Sequence, residues 1–373
     1  MNKLKVCVYA ICKNEESFVK SWMESMREAD SIVVLDTGST DRTVTLLEEE
    51  GAVVHQQTVV PWRFDVARNL SLSLVPFDVD ICVCTDLDER FIPGWRAALE
   101  YAWLNHTPQY TGEIAKTGRY LYNWSLREDG TPDIQFMYFK VHERKDFAWK
   151  CPVHEYIHYI GNKPVEQVFI DGMVLNHYPD ASKSRSSYLP LLELGVAEDP
   201  QDDRMQYYLG REYLYQKEWS KCIASLNDYL KLPKANWKEE RCAAMRWIAK
   251  AYLNLKQYKE AYRWYYRAIG ELPYMRDGYV EFAKLAYELQ DWLICAWLIE
   301  EALAISTKSS TYVNMGYAWD HTPYDLGAIA WYRLRCYEKA MQYANEAYFR
   351  NPQDERLEKN VALITEVIQG NKE

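Results

Sequence analysis

The sequence is marked first by what it lacks. No stretch reaches the roughly 18 apolar residues that a membrane-crossing helix needs. Met1-Asn2-Lys3-Leu4-Lys5-Val6 runs straight into a short strand-like stretch, without the apolar core and small-residue cleavage site of a signal peptide. Cys-x-x-Cys pairs are absent, and the nine cysteines are an odd number in a long chain. Cys7, Cys82 and Cys84 lie in apolar runs and read as reduced core residues. The compartment expected from these features is the cytoplasm. Basic residues are outnumbered, 44 Lys and Arg against 54 Asp and Glu, for a net charge of −10. That lowers a nucleic-acid partner, which is held chiefly through phosphates, without excluding a local basic groove. No Walker A loop, no G-x-G-x-x-G and no Ser–His–Asp set can be assembled. What is abundant is aromatic: of 30 Tyr and 14 Trp, residues 203–373 hold 20 and 8. Rings at helical spacing are ordinarily packing between helices, so core packing is preferred there over a ligand-stacking stripe.

At 373 residues the chain is long enough for two or three units. Its halves follow different periods. Leu4 to Ile11, Ser31 to Leu35, Ala52 to Val54 and Val79 to Thr85 are short apolar, β-branched runs. Between them, Asn14 to Ala29, the stretch capped by Ser39-Thr40-Asp41 and ending at Gly51, and Asp65 to Leu74 carry helical spacing. Alternation of this kind predicts an α/β domain with a mostly parallel sheet, Rossmann-like, over residues 1–180. Ligands bind such sheets beyond the carboxyl ends of the strands. From Asp203 strands vanish, and four helical hairpins are marked by small residues at inner positions. The clearest carries Ile248, Ala249, Tyr252, Ala261, Tyr265, Ala268 and Pro273 in an order resembling a tetratricopeptide repeat. Residues 203–373 are thus expected to be a degenerate all-α solenoid closed by Arg356 to Gln369, with 181–202 as the connection.

The chemistry should lie at the strand ends. Asp86-Leu87-Asp88-Glu89 follows the fourth apolar run, and two carboxylates one residue apart suit a divalent cation shared with a diphosphate. A solvated acidic turn is the plainer alternative. Asp36-Thr37-Gly38-Ser39-Thr40-Asp41 closes the second strand; a helix cap explains Ser39 or Thr40 but not Asp36. Ala67-Arg68-Asn69 sets a guanidinium near a helix start, where it can pair with a phosphate, hold a carboxylate of the site, or merely form a surface salt bridge.

Lys13-Asn14-Glu15-Glu16, the Asp36–Asp41 segment, Ala67-Arg68-Asn69 and Asp86-x-Asp88-Glu89 follow the order seen in family 2 glycosyltransferases with a GT-A fold. The pattern most resembles the branch with a C-terminal tetratricopeptide-type domain, which includes bacterial glycosyltransferases and sublancin-type peptide S-glycosyltransferases. The resemblance spans roughly residues 5–180 and, with the repeats, most of the chain. It implies that Asp36 contacts the base of a UDP-sugar, that Arg68 organises the donor side, that Asp86 faces the sugar or ribose, and that Asp88 is the direct ligand of Mn²⁺ or Mg²⁺. His177, in Val174-Leu175-Asn176-His177-Tyr178, falls where such enzymes carry a late metal-binding histidine; a core histidine is the alternative. Glu155, in Val153-His154-Glu155, would be the general base of an inverting transfer, or else a structural ion pair. The Gln-x-x-Arg-Trp motif of processive synthases is absent, which argues against a polymerase. The acceptor stays open: a glycan, a peptide side chain or a modified nucleobase.

His154-Glu155-Tyr156-Ile157-His158 also spells His-Glu-x-x-His, a zinc-protease signature that works only on a helix and with a third ligand. Pro164 stands where the extended motif has its last histidine, and the stretch between Pro152 and Gly161 is short for a helix. Lys183 and Arg185 read as a solvated linker or as a mobile loop closing over a diphosphate. The competing overall reading is a helical interaction scaffold, or homo-oligomer, whose first domain senses a sugar nucleotide.

Overall fold

A computed structural model describes residues 4–180 and 186–370. Lys183 and Arg185 lie outside them. The chain divides into two compact units, Met1–Asp199 and Pro200–Glu373.

The first unit is built on β1 (Val6–Cys12), buried along its whole length. It lies parallel to β2 (Ser31–Asp36) on one side and to β4 (Ile81–Cys84) on the other, with β3 (Val53–Gln56) outside β2. Alternate side chains of β1 enter separate cores, as the two-residue period of a strand requires. Val6, Val8, Ala10 and Cys12 meet Val19, Trp22, Met23 and Met26 of α1 (Glu16–Met26) and Leu47 of α2 (Thr43–Glu49). Cys7 and Tyr9 pack instead on Leu72 of α3 (Phe64–Leu74), and Ile11 on its Ala67. Both faces are therefore covered, and the strands are continuously apolar, as parallel sheets are.

Beyond β4 come strands that periodicity did not reveal: β5 (Glu89–Phe91), β6 (Ala115–Leu126), β7 (Pro132–Glu143) and β10 (Val165–His177). The sheet order is β3-β2-β1-β4-β7-β6-β10-β5. Only β7 and β5 run against the rest, so the sheet is mostly parallel, as expected. Helix α4 (Trp95–Asn105) packs on β10, and β8 (Phe147–Lys150) pairs with β9 (Tyr156–Tyr159) in a separate ribbon. Residues 181–202, read as a connection, contain a helix, α5 (Tyr188–Glu198). It groups with the first unit, buries Leu191 and Leu192, and accepts at Glu198 from Arg63, 2.5 Å away.

Among the described residues the second unit has helices and no strands: α6 (Asp203–Tyr215) with α7 (Trp219–Lys231), α8 (Lys238–Asn254) with α9 (Tyr258–Glu271), α10 (Arg276–Glu288) with α11 (Trp292–Ala304), α12 (Thr322–Arg333) with α13 (Tyr337–Arg350), then α14 (Glu355–Gly370). Every hairpin turns in the same way. Lys217, Lys256, Gln290 and Arg335 have φ of 60°, 59°, 59° and 61°. The next N–H then reaches five residues back, from Glu218 to Tyr213, Gln257 to Tyr252, Asp291 to Ala286 and Cys336 to Trp331. This is the Schellman closure, made here without glycine. Small residues let the helices close up: Ala261, Ala268, Ala302, Ala340 and Ala347 are fully buried. A Cβ on Gly210 would stand 2.3 Å from Leu226. No described helix is long and apolar enough to cross a membrane.

Candidate active site

At the carboxyl end of β4 the chain passes through Asp86 and Asp88 into β5. Asp86 is gripped by two cations. An Arg68 NH2 group donates to one oxygen, and Lys140 Nζ lies 2.9 Å from the other. Burial opposes ionisation of Asp86, but Arg68 and Lys140 outweigh it and hold the carboxyl well below the usual range. Lys140 also stands 3.8 Å from Glu89, whose Oε2 accepts from the Asp86 N–H at 2.9 Å. Glu89 is buried, and that burial pushes its carboxyl up despite Lys140.

Arg68 is 3% exposed, on α3 one turn in from its start. Its Nε donates to Glu155 at 3.1 Å and its NH1 to Cys84 Sγ at 3.4 Å, while the Trp149 ring centroid is 5.5 Å away. It is a buried junction of two carboxylates and no surface salt bridge. The next residue explains how Trp149 arrives there. The Asn69 amide pairs with both backbone groups of Trp149, at 2.9 and 2.8 Å, like a strand neighbour. Trp149 Nε1 donates to the Tyr9 hydroxyl at 2.9 Å, and Tyr9 meets His142 Nε2 at 2.8 Å. His142 Nδ1 faces the Glu143 carbonyl at 2.6 Å, and since a carbonyl only accepts, Nδ1 carries the proton. Burial lowers the His142 pKa to about 4, so the ring is neutral and Tyr9 donates to it.

Asp88 and His177 are brought together by β5 and β10, where His177 pairs with Glu89. His177 Nε2 lies 3.6 Å from Asp88 Oδ2, and Nδ1 lies 3.0 Å from the Trp124 carbonyl. That carbonyl likewise only accepts, so Nδ1 carries a proton and Nε2 is turned toward Asp88. That orientation is the one metal-binding histidines adopt, with the second nitrogen tied to an outer acceptor. Burial lowers the His177 pKa, but Asp88 and the carbonyl outweigh it and the net shift is upward. A carboxylate oxygen and an imidazole nitrogen are both donors that a hard or borderline divalent cation can accept. Asp86, by contrast, is committed to two cationic side chains.

Asp36 stands apart, two strands from Asp86 with β1 between them, roughly 9.5 Å of sheet at about 4.8 Å per strand. It is 1% exposed, and its carboxylate accepts from the N–H groups of Gly38 and Ser39 and from the Ser39 hydroxyl. The surrounding motif residues interlock. Asn14 donates its N–H to Ser39 Oγ at 2.8 Å and accepts at Oδ1 from the Thr40 N–H at 2.7 Å. Asp41, and not Ser39 or Thr40, caps the turn, taking the N–H of Thr43 at 3.0 Å and that of Glu16 at 3.2 Å. Beyond β3 a shallow cleft of about 310 Å³ opens among Gln57, Thr58, Val59, Val60, Pro61, Arg63, Val66 and Leu70. The Gln57 N–H donates to the Asp36 carbonyl at 2.9 Å, which places that cleft beside the Asp36 turn.

The His-Glu-x-x-His segment does not form a helix. His154 sits in a loop with φ of 53°, and His158 lies in β9 opposite Ala148. Extended backbone advances about 3.3 Å per residue, so the two rings do not share one helical turn and the zinc-protease reading falls. Among the described residues no group of three or more His, Cys, Asp or Glu side chains is placed to hold a metal ion by itself.

Lys140 was missed by sequence reasoning. Its one signal is a lysine between Phe139 and Val141 in an otherwise apolar stretch. Trp149, Tyr9 and His142 gave no signal, because their roles arise only where β1, β7 and β8 meet.

No protein-family model matches the chain. It is similar to the lipopolysaccharide core biosynthesis glycosyltransferase LpsC of Rhizobium meliloti (strain 1021), at 30% identity over 99 residues, which is 26% of this chain. The match spans 36% of that relative's length. Among solved structures it is similar to MamA, at 14% identity over 48% of this chain and 99% of that one, with a TM-score of 0.38. The yeast Tom70 structure gives 12% identity over 51% of this chain and 37% of that one, also with a TM-score of 0.38.

Proposed function

We propose that the protein is a glycosyltransferase that moves a sugar from a UDP-sugar to an acceptor nucleophile with inversion, in the presence of Mn²⁺ or Mg²⁺. The observation that carries this reading is the meeting of Asp88 and His177, 89 positions apart in sequence, with Nε2 of the histidine turned to the carboxylate 3.6 Å away. The similarity to LpsC, a lipopolysaccharide core biosynthesis glycosyltransferase, supports it. Asp88 and His177 would hold the cation, which when bound neutralises charge on the departing diphosphate. Arg68 and Lys140 fix Asp86 for the sugar or ribose. The Asp36 turn and the cleft beside it lie on the base side. Glu155, oriented by Arg68 Nε, takes the acceptor proton as the acceptor heteroatom bonds to the anomeric carbon. The bond from that carbon to the diphosphate oxygen breaks on the opposite face, and UDP leaves with the electron pair.

The test is titration of UDP with and without Mn²⁺, followed by UDP-sugar turnover, for the unaltered chain and for Asp88→Asn and His177→Gln. Metal-dependent UDP binding that weakens at least tenfold in either variant, with an unchanged circular-dichroism spectrum, is the expected result. Equal metal-dependent binding in all three proteins refutes the assignment. Binding by the unaltered chain without any turnover favours the sugar-nucleotide-sensing scaffold instead.

A further inference from the structure

Three of the links between helical hairpins are short: 232–237, 272–275 and, before the closing helix, 351–354. The fourth, 305–321, is not. It leaves the end of α11 and returns across the first helices of the two preceding hairpins before α12 begins. Those first helices lie side by side, α6 against α8, α8 against α10 and α10 against α12. Helical repeats ordinarily touch only their neighbours, so a segment lying along this layer is an addition to the repeat plan.

The segment is bound much as an extended peptide is bound, through its main chain as well as its side chains. Arg246 NH2 of α8 donates to the Val313 carbonyl at 3.0 Å, and the Met315 N–H donates to Asp277 Oδ1 of α10 at 2.5 Å. The Tyr312 hydroxyl donates to Glu240, and the Tyr317 hydroxyl to Glu281 at 2.6 Å. Lys284 stands 3.4 Å from the Tyr317 ring centroid and Arg276 3.9 Å from that of Trp319. The receiving face is over-provided with polar groups. Arg246 and Asp277 are fully buried, yet Arg246 Nε, Asp277 Oδ2 and Glu281 Oε2 have no hydrogen-bond partner among the described residues. Two tyrosine hydroxyls and two main-chain groups of the strap meet α8 and α10, and these three atoms of the receiving face stay outside those bonds, although buried polar groups normally find partners.

We propose that residues 306–319 are a tethered occupant of a peptide-recognition face, an autoinhibitory strap. The face takes an extended, tyrosine-bearing segment of a partner protein when the strap lifts. The partner segment offers a carbonyl to Arg246, an N–H to Asp277 and aromatic hydroxyls to Glu240 and Glu281, and uses the acceptors that the strap leaves idle. This assignment does not rest on the transferase reading, because none of its residues belongs to the first unit.

Two measurements on the full chain test it. Hydrogen exchange is followed at the Met315 and Asn314 amides and at those of Ile248 and Phe282 in the middle of α8 and α10. Strap amides at least 100-fold faster than the helical ones are expected, since a strap that lifts opens without unfolding the helices. Equal rates would mean that the strap is an inseparable part of the core, and would overturn the proposal. In the second measurement a fluorescein-labelled synthetic peptide of residues 306–319 is titrated against the unaltered chain and against Tyr312→Phe/Tyr317→Phe. That variant keeps both rings and loses only the two hydroxyls. Binding at least tenfold tighter to the variant, and lost with a scrambled peptide, is expected. Equal binding to both proteins, or binding to neither, refutes competition for the face.

Discussion

Replacing Arg68 by methionine removes one guanidinium from a place where two carboxylates depend on it, and the two losses are unequal. Asp86 has a side chain 36% exposed and keeps Lys140 at 2.9 Å, so water and the lysine make good part of its loss. The Glu155 side chain is 11% exposed and loses the Nε–H that reaches it at 3.1 Å. A hydrogen bond to a charged group is worth about 1.5–3 kcal/mol, and breaking a buried pair by removing one partner costs about 3–5 kcal/mol. Arg68→Met should therefore destabilise the first unit by about 3–5 kcal/mol, most of it from the stranded Glu155. Arg68→Lys keeps the charge without the fork that spans both carboxylates, and should cost about half as much. Arg68→Met/Glu155→Gln removes the stranded charge and should recover about 1.5–3 kcal/mol relative to the sum of the single changes. Urea unfolding followed by tryptophan fluorescence is the assay, since the Trp149 ring centroid lies 5.5 Å from the guanidinium. At a slope of about 2 kcal/mol per molar urea, the methionine variant should lose about 2 M in its midpoint. A loss under about 1 kcal/mol, or strictly additive single changes, would refute the view of Arg68 as a buried junction.

In the sheet, a Cβ on Gly118 would lie 2.6 Å from Ile170 Cδ1 and 2.9 Å from Val141 Cβ, both in buried residues. Gly118→Ala should cost about 1–3 kcal/mol by overpacking, read as a lower melting temperature; a stabilised variant would contradict the packing of β6 on its neighbours. In the helical unit, Arg246→Met leaves Asp277 and Glu281 facing each other without their cation and should cost about 3–5 kcal/mol at pH 8. The deficit should shrink on acidification. Burial, against the pull of Arg246, already raises the Asp277 carboxyl above its ordinary value, and loss of the arginine raises it further. An acid whose folded pKa exceeds its unfolded one destabilises above the folded pKa, and is relieved as pH falls through it toward the ordinary value near about 4. Urea midpoints of both proteins at pH 8, 6.5 and 5 test this, and a gap that does not narrow would show that charge is not its cause.

The legible part of this chain was whatever repeats over a few residues. β1, β2 and β4 are buried on both faces and so appear as unbroken apolar runs, and the helices from α6 to α14 announce themselves through small residues at fixed spacing. The strands β6, β7 and β10 were illegible for the opposite reason. They are 12, 12 and 13 residues long, mix polar with aromatic side chains, and owe their place to one another. Helix α5 hid in a stretch that opens with serines around Lys183 and Arg185 and so reads as a linker.

The candidate site divides along the same line. Sequence alone put carboxylates at the ends of β2 and β4, because a strand end after an apolar run is a local feature. It also marked Arg68, Glu155 and His177 as separate possibilities, each with an ordinary structural alternative. Tertiary structure decided which carboxylate meets which cation. Asp86 goes to Arg68 and Lys140, Glu155 to Arg68, and Asp88 to His177, across separations of 18 to 89 positions. It left Asp36 to its own turn and turned His-Glu-x-x-His into a loop and a strand. Charges choose partners by distance and burial, and both are set by where the sheet brings β4, β5, β7 and β10 together. Local spacing carries no information about that meeting.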